Sequence, residues 1–137
     1  MRAKISNRRV WAALQKYAPR KCVKALQSKN MELINLQASM TAKKMVAVGG
    51  DSSKWAAYED ELKTMNAKTH AFLADATAAI LQAEEWGKQG SKLDSDSSKK
   101  QVSELSQALG VMVKEGDTHF KGAKGAIERM KSNLKHA

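Results

Sequence analysis

The sequence predicts an all-α protein: an elongated antiparallel three-helix bundle or coiled coil behind a short basic amphipathic N-terminal helix. Three observations carry this. Good helix formers dominate, proline occurs once, and alternating β-branched runs are missing. Two polar, glycine-bearing breaks cut the chain into long segments. Along each segment, apolar residues recur at steps of three and four.

The front is the run NRRVWAALQKYAPRK, Asn7 to Lys21. It predicts a helix over about residues 4–18, closed by Pro19, which either follows a helix or opens the next one. On a helical wheel Val10, Leu14 and Tyr17 cluster, with Trp11 and Ala18 beside them, and Lys4, Arg8, Arg9 and Lys16 point away. A second helix is expected near 20–48. Cys22, Leu26, Leu33, Leu36 and Met40 form its inner face, flanked by Val23, Ile34 and Met45. The break GGDSSK, Gly49 to Lys54, ends it, with Asp51, Ser52 and Ser53 as N-caps for the next helix.

That next helix, near 53–88, has the clearest pattern. Trp55, Tyr58, Leu62, Met65, Thr69, Phe72, Ala76, Ala79, Ala83 and Trp86 form a heptad seam, widened by Leu73 and Ile80. Gly87 and Gly90 should end it. Ser98, with Gln101 three positions on, reads as a capping box for a last helix to about 135. Its seam runs Val102, Leu105, Leu109, Met112, then Phe120, Ala123, Ile127, Met130 and Leu134. Gly116 and Asp117 could break this helix. The seam resumes in phase, however, which favours a continuous, kinked helix in which Gly122, Ala123 and Ala126 admit a close neighbour. The domain plan is therefore a basic segment, 1–19, and a three-helix bundle, 20–137.

Charge is unevenly placed. Residues 1–31 hold nine Lys/Arg and no acid, residues 32–117 hold ten Lys and thirteen acids, and residues 118–137 hold five cations against Glu128. Like charges so crowded repel one another unless an anionic partner accepts them.

Catalytic signals are weak. His70, His119 and His136 are scattered at no metal-ligand spacing. Glu59 to Glu61 and the pair Glu84 and Glu85 read as solvated faces with partners such as Glu59–Lys63. No phosphate-binding loop is present. The single Cys22 excludes an internal disulfide and reads as a small apolar residue near Leu26. Met31, Met40, Met45, Met65, Met112 and Met130 read mainly as core filling. No enzyme activity, cofactor, metal or small-molecule substrate is expected. There is no apolar run long enough to span a membrane, and no secretory h-region follows the basic start, though that start has the basic, acid-free character of a mitochondrial targeting segment.

A basic amphipathic front helix ahead of three antiparallel heptad helices resembles the plan of an N-BAR membrane-curving module. The run WAAYEDELKTMNAKTHAFL, Trp55 to Leu73, is similar in style to the first long helix of such modules. The resemblance lies in architecture, and no specific motif accompanies it.

The expected function is that of a non-catalytic structural, assembly or adaptor subunit held to an anionic surface by its basic front. Arg8, Arg9, Trp11, Lys16, Arg20 and Lys21 are the candidate contacts, with Trp11 entering a headgroup layer or an acidic partner. The competing use of the same face is docking on the protein's own bundle. A nucleic-acid-binding packaging or virion component is the alternative function, supported by charge but not by interleaved aromatics. A thin, Ala-rich bundle buries little area per residue, so a homo-oligomer or partner subunits are expected. The location expected is intracellular, either soluble or at a membrane surface, the mitochondrion included.

Overall fold

A computed structural model describes residues 8–88 and 96–136. It is all-helical: α1 (Arg8–Tyr17), α2 (Pro19–Val46), α3 (Gly50–Lys88) and α4 (Asp96–Lys135). Lys4, Gly90 and the start of the front helix fall outside the described residues.

Each boundary has a local cause. Ala18 separates α1 from α2 with φ of 44°, and its amide still donates to the Leu14 carbonyl at 3.0 Å. Pro19 then opens α2, where its fixed φ suits the first turn and its missing N–H costs nothing. Gly49, at φ of 65°, takes the left-handed turn between α2 and α3. α3 begins at Gly50, so Asp51 lies within its first turn and complements the helix dipole rather than capping from outside. α4 begins at Asp96, which puts Ser98 inside the helix and displaces the capping box read from Ser98 and Gln101. It runs unbroken through Gly116 and Asp117.

The residues group into two compact units, and α2, α3 and α4 each contribute to both. The first unit comprises residues 1–24 and 74–117. Its core is Val10, Ala13, Ala83, Val102 and Leu109, with Leu14, Tyr17, Trp86, Leu105 and Met112 packed against them. α1 therefore supplies core residues here: Val10 is fully buried and Ala13 nearly so. Of the two uses foreseen for its apolar face, this packing is docking on the chain's own helices.

The second unit comprises residues 25–73 and 118–137. Leu33, Leu36, Met40, Trp55, Leu62, Ala123, Ile127 and Met130 form its core. Glu61 meets Arg129 while Phe72 meets His119, so α3 and α4 run antiparallel in this unit.

The α3 seam packs as its periodicity demands. Trp55, Leu62, Thr69, Ala76 and Ala83 are buried, and Tyr58, Met65, Phe72, Ala79 and Trp86 half-buried. In α2 the inner face is Val23, Leu26, Asn30, Leu33, Leu36 and Met40. Ile34 and Met45, expected to flank that face, are instead exposed, as is Met31. These three share a second stripe at helical spacing, pointing away from the core. In α4 the seam continues through buried Gly116 and the half-buried His119 and Phe120. Gly122 is not at a close approach, because a Cβ there would meet nothing within 4 Å.

Candidate functional site: the basic front of the first unit

α1 is held by contacts that set which side faces out. The Trp11 indole Nε1 donates to the Gly87 carbonyl at 3.0 Å. A Cβ on Gly87 would lie 2.7 Å from the indole ring, so the missing side chain makes the seat for Trp11. Gly110 does the same for Tyr17, whose ring would lie 3.0 Å from a Cβ there. At the start of α2, Arg20 grips Glu84 of α3 with both Nε, at 2.8 Å, and Nη2. A two-pronged guanidinium–carboxylate contact fixes direction as well as charge. This hydrogen bonding holds the Glu84 carboxyl below its usual range.

With Val10 and Ala13 turned inward, the opposite arc of α1 carries Arg8, Arg9 and Lys16, all exposed. The Lys16 ammonium lies 5.2 Å from the Tyr17 ring centre. Lys21 and Lys24, both exposed, follow in the first turns of α2. Of the six candidate contacts, Arg8, Arg9, Lys16 and Lys21 thus face outward on one run of backbone. Arg20 is exposed but engaged with Glu84. Trp11, 36% exposed, shows one edge and commits its N–H to Gly87. Gly87 and Gly110 are the site residues that sequence reasoning missed. A glycine in a helical segment reads as a stop or a weakness, and its role as a seat depends on a ring from elsewhere in the chain.

The acid clusters are solvated only in part: Asp60, Glu61 and Glu85 are exposed and Glu84 is half-buried. Glu59 is buried, accepting from Thr41 and, at 2.8 Å, from Lys44. Hydrogen bonds from Lys44 and then Thr41 are the main causes that hold its carboxyl below the usual range. Glu61 pairs with Arg129, and Glu32 with Lys29 at 2.9 Å and Lys131 at 3.7 Å. Lys29 foremost lowers the Glu32 carboxyl as well. Four of these acids bridge helices: Glu59 and Glu84 join α3 to α2, Glu61 joins α3 to α4, and Glu32 joins α2 to α4. They are structural ties.

Cys22 is half-buried, its thiol 4.0 Å from the Val113 carbonyl, and burial foremost pushes it up from its ordinary range. A thiol so placed is a poor nucleophile. In the second unit a cavity of about 460 Å³ lies beside Thr64, Lys68, Thr69, His119 and Gly122. His119 is spent on stacking against Phe72, ring centres 4.8 Å apart. Among the described residues no group of three His, Cys, Asp or Glu could hold a metal ion. Nor is any helix among them long and apolar enough to cross a membrane.

Compared with protein-family models, with curated proteins and with solved structures, the chain gives no match. The likeness in plan to a membrane-curving module therefore rests on helix order alone.

Proposed function

We propose that this chain is a non-catalytic helical structural or adaptor subunit that holds to an anionic surface through the outward face of α1 and the first turns of α2. The observation that carries the reading is the division of α1 into two faces. Its apolar side is spent on the first unit's core, and its other side presents Arg8, Arg9 and Lys16, continued by Lys21 and Lys24. No acid occurs in the sequence before Glu32. Each cation at an anionic leaflet contributes about 1 kcal/mol.

The docked state of α1 changes the role of Trp11. The indole now fixes α1 in place, and only its exposed edge is available to a headgroup layer. Attachment is then chiefly electrostatic. The same fact favours a second reading, binding to a nucleic-acid backbone, because phosphate contacts need cations and no apolar insertion.

The test is co-sedimentation with phosphatidylserine-containing vesicles, with neutral phosphatidylcholine vesicles and with duplex DNA. The protein should pellet with the anionic vesicles and not the neutral ones. The triple variant Arg8→Ala, Arg9→Ala, Lys16→Ala should bind about 100-fold more weakly. Binding to DNA alone would select the second reading. Binding to neither, or full binding by the triple variant, would remove the anionic-surface reading.

A further inference from the structure

The outer stripe of α2 in the second unit is symmetric, and it is exposed with no complement among the described residues. Met31 is 57% exposed, Ile34 40% and Met45 79%, and Ala38 and Ala42 between them are exposed too. Counted from Ala38, these residues stand at −7, −4, 0, +4 and +7. All five fall within one arc, opposite the buried Leu26, Leu33 and Met40.

We infer that this stripe is a two-fold self-pairing surface whose partner is the α2 of a second copy of the chain, laid antiparallel. The spacing is palindromic, so it maps onto itself when one copy is reversed. Reversal sets Met31 beside the second copy's Met45 and Ile34 over its Ala42, with Ala38 meeting Ala38 at the axis. Ile34 over Ala42 is bulky on small, the interlock that helix ridges and grooves need, and the small residue at the centre lets the backbones approach. An interface built from one patch used twice is the isologous kind that closes at two copies.

Charge points the same way. The chain carries +10, so copies repel wherever Lys faces Lys. From Leu33 to Ala42 no residue is charged. The charged residues that flank this run are engaged within their own chain, Lys44 with Glu59 and Glu32 with Lys29 and Lys131, so the face offered to a second copy is the uncharged stripe itself. Five anchors on one helix face cover about 500 Å² per copy, so the pair buries about 1,000 Å², the lower edge for a specific interface. The dimer is therefore reversible and concentration-dependent.

The inference does not depend on the anionic-surface reading, and its test contains neither lipid nor nucleic acid. Sedimentation equilibrium of the full chain over a wide concentration range should show a monomer–dimer equilibrium. Ala38→Glu, which sets two carboxylates together at the axis, should raise the dissociation constant more than about 100-fold. Because Ala38 is exposed, helix content and dilute melting temperature should not change. In a Cys22→Ser background, Ala38→Cys should form an intermolecular disulfide with itself. Met31→Cys should cross-link with Met45→Cys on another chain and not with itself. A monomer at every concentration, a dimer indifferent to Ala38→Glu, or self-cross-linking of Met31→Cys would each overturn the inference.

Discussion

In α1, Val10 and Ala13 share a core with Ala83, Val102 and Leu109 of the same chain, while in α2 Met31, Ile34 and Met45 lie open to solvent. Both stripes are apolar at helical spacing, and the difference lies opposite them. α1 finds two glycine seats, Gly87 under Trp11 and Gly110 under Tyr17, and a guanidinium clasp on Glu84 just after it. The outer face of α2 has no such complement among the described residues. A periodic stripe thus tells that a face is apolar, and the complement elsewhere in the chain decides whether it closes internally. Closure of the α1 stripe leaves its cations as the outward feature; openness of the α2 stripe leaves the stripe itself.

The largest effect that can break this comparison is in two adjacent residues. Leu33 is fully buried and Ile34 is 40% exposed. Leu33→Ala should cost about 2–5 kcal/mol in denaturant unfolding. Ile34→Ala, measured at low protein concentration, should cost less than about 1 kcal/mol. Equal losses would mean that both faces of α2 are internal and the open stripe does not exist.

A smaller effect tests the glycine seats. Gly87→Ala places a methyl group 2.7 Å from the Trp11 ring, which must shift. Overpacking of this sort costs about 1–3 kcal/mol, against a gain of under about 1 kcal/mol from helix propensity near the end of α3. A lowered melting temperature is expected. Gly122→Ala meets open space and should stabilise by about 0.5–1 kcal/mol. If the two substitutions move the melting temperature the same way, Trp11 is not seated on Gly87.

Smaller again is the cost carried by Asn30. It occupies the inner face of α2 between Leu26 and Leu33, and its Oδ1 is buried without a protein partner among the described residues. An unpaired buried carbonyl costs about 1–3 kcal/mol, part of which Asn30→Leu recovers where the larger apolar side chain fits. A rise in unfolding midpoint is expected, and a fall would show that the amide is engaged and the inner face is polar by need.

How much of this was legible in the residues differs by helix. The α3 seam could be read from Trp55 to Trp86 because its apolar residues follow steps of three and four on one stripe only. α2 carries two stripes, and periodicity alone put Ile34 and Met45 with the wrong one. In α4 the seam crosses Gly116 and His119, which do not read as apolar. Phe120, half-buried like His119, has the Lys29 ammonium 5.6 Å from its ring centre. Glu59, Glu61 and Glu84 look like surface acids from their neighbours in sequence, because their partners come from other helices. The charge of the front was legible, since an acid-free run needs no tertiary information, but the engagement of Arg20 with Glu84 and of Trp11 with Gly87 was not. The inward burial of Val10 was legible only as one of two options, because the seats at Gly87 and Gly110 lie far along the chain.

The weakest effect is that of pH on the ties between helices. Glu32, Glu59 and Glu84 are all held below the usual value of 4.5 by hydrogen-bonding cations. A depressed carboxylate stabilises the fold above its unfolded value and loses that contribution as pH falls through the lower, folded value. Melting temperature should be level from neutral pH to about pH 5 and decline below it. Glu59→Gln should lower it at neutral pH and flatten the acid limb. These pairs are partly exposed, so added salt should shrink the effect.

The most direct test of the account is a salt titration of binding to phosphatidylserine-containing vesicles by the wild-type chain. With the apolar face of α1 packed in its own unit and its outward face cationic apart from the edge of Trp11, attachment should fall steadily with ionic strength as the screening length shrinks from about 10 Å to about 3 Å at 1 M salt. By that point no bound fraction should be left. Binding that persists unchanged at 1 M salt would mean that Val10, Leu14 and Trp11 have left the first unit and entered the bilayer, contradicting the docked, two-faced α1 on which the functional reading stands.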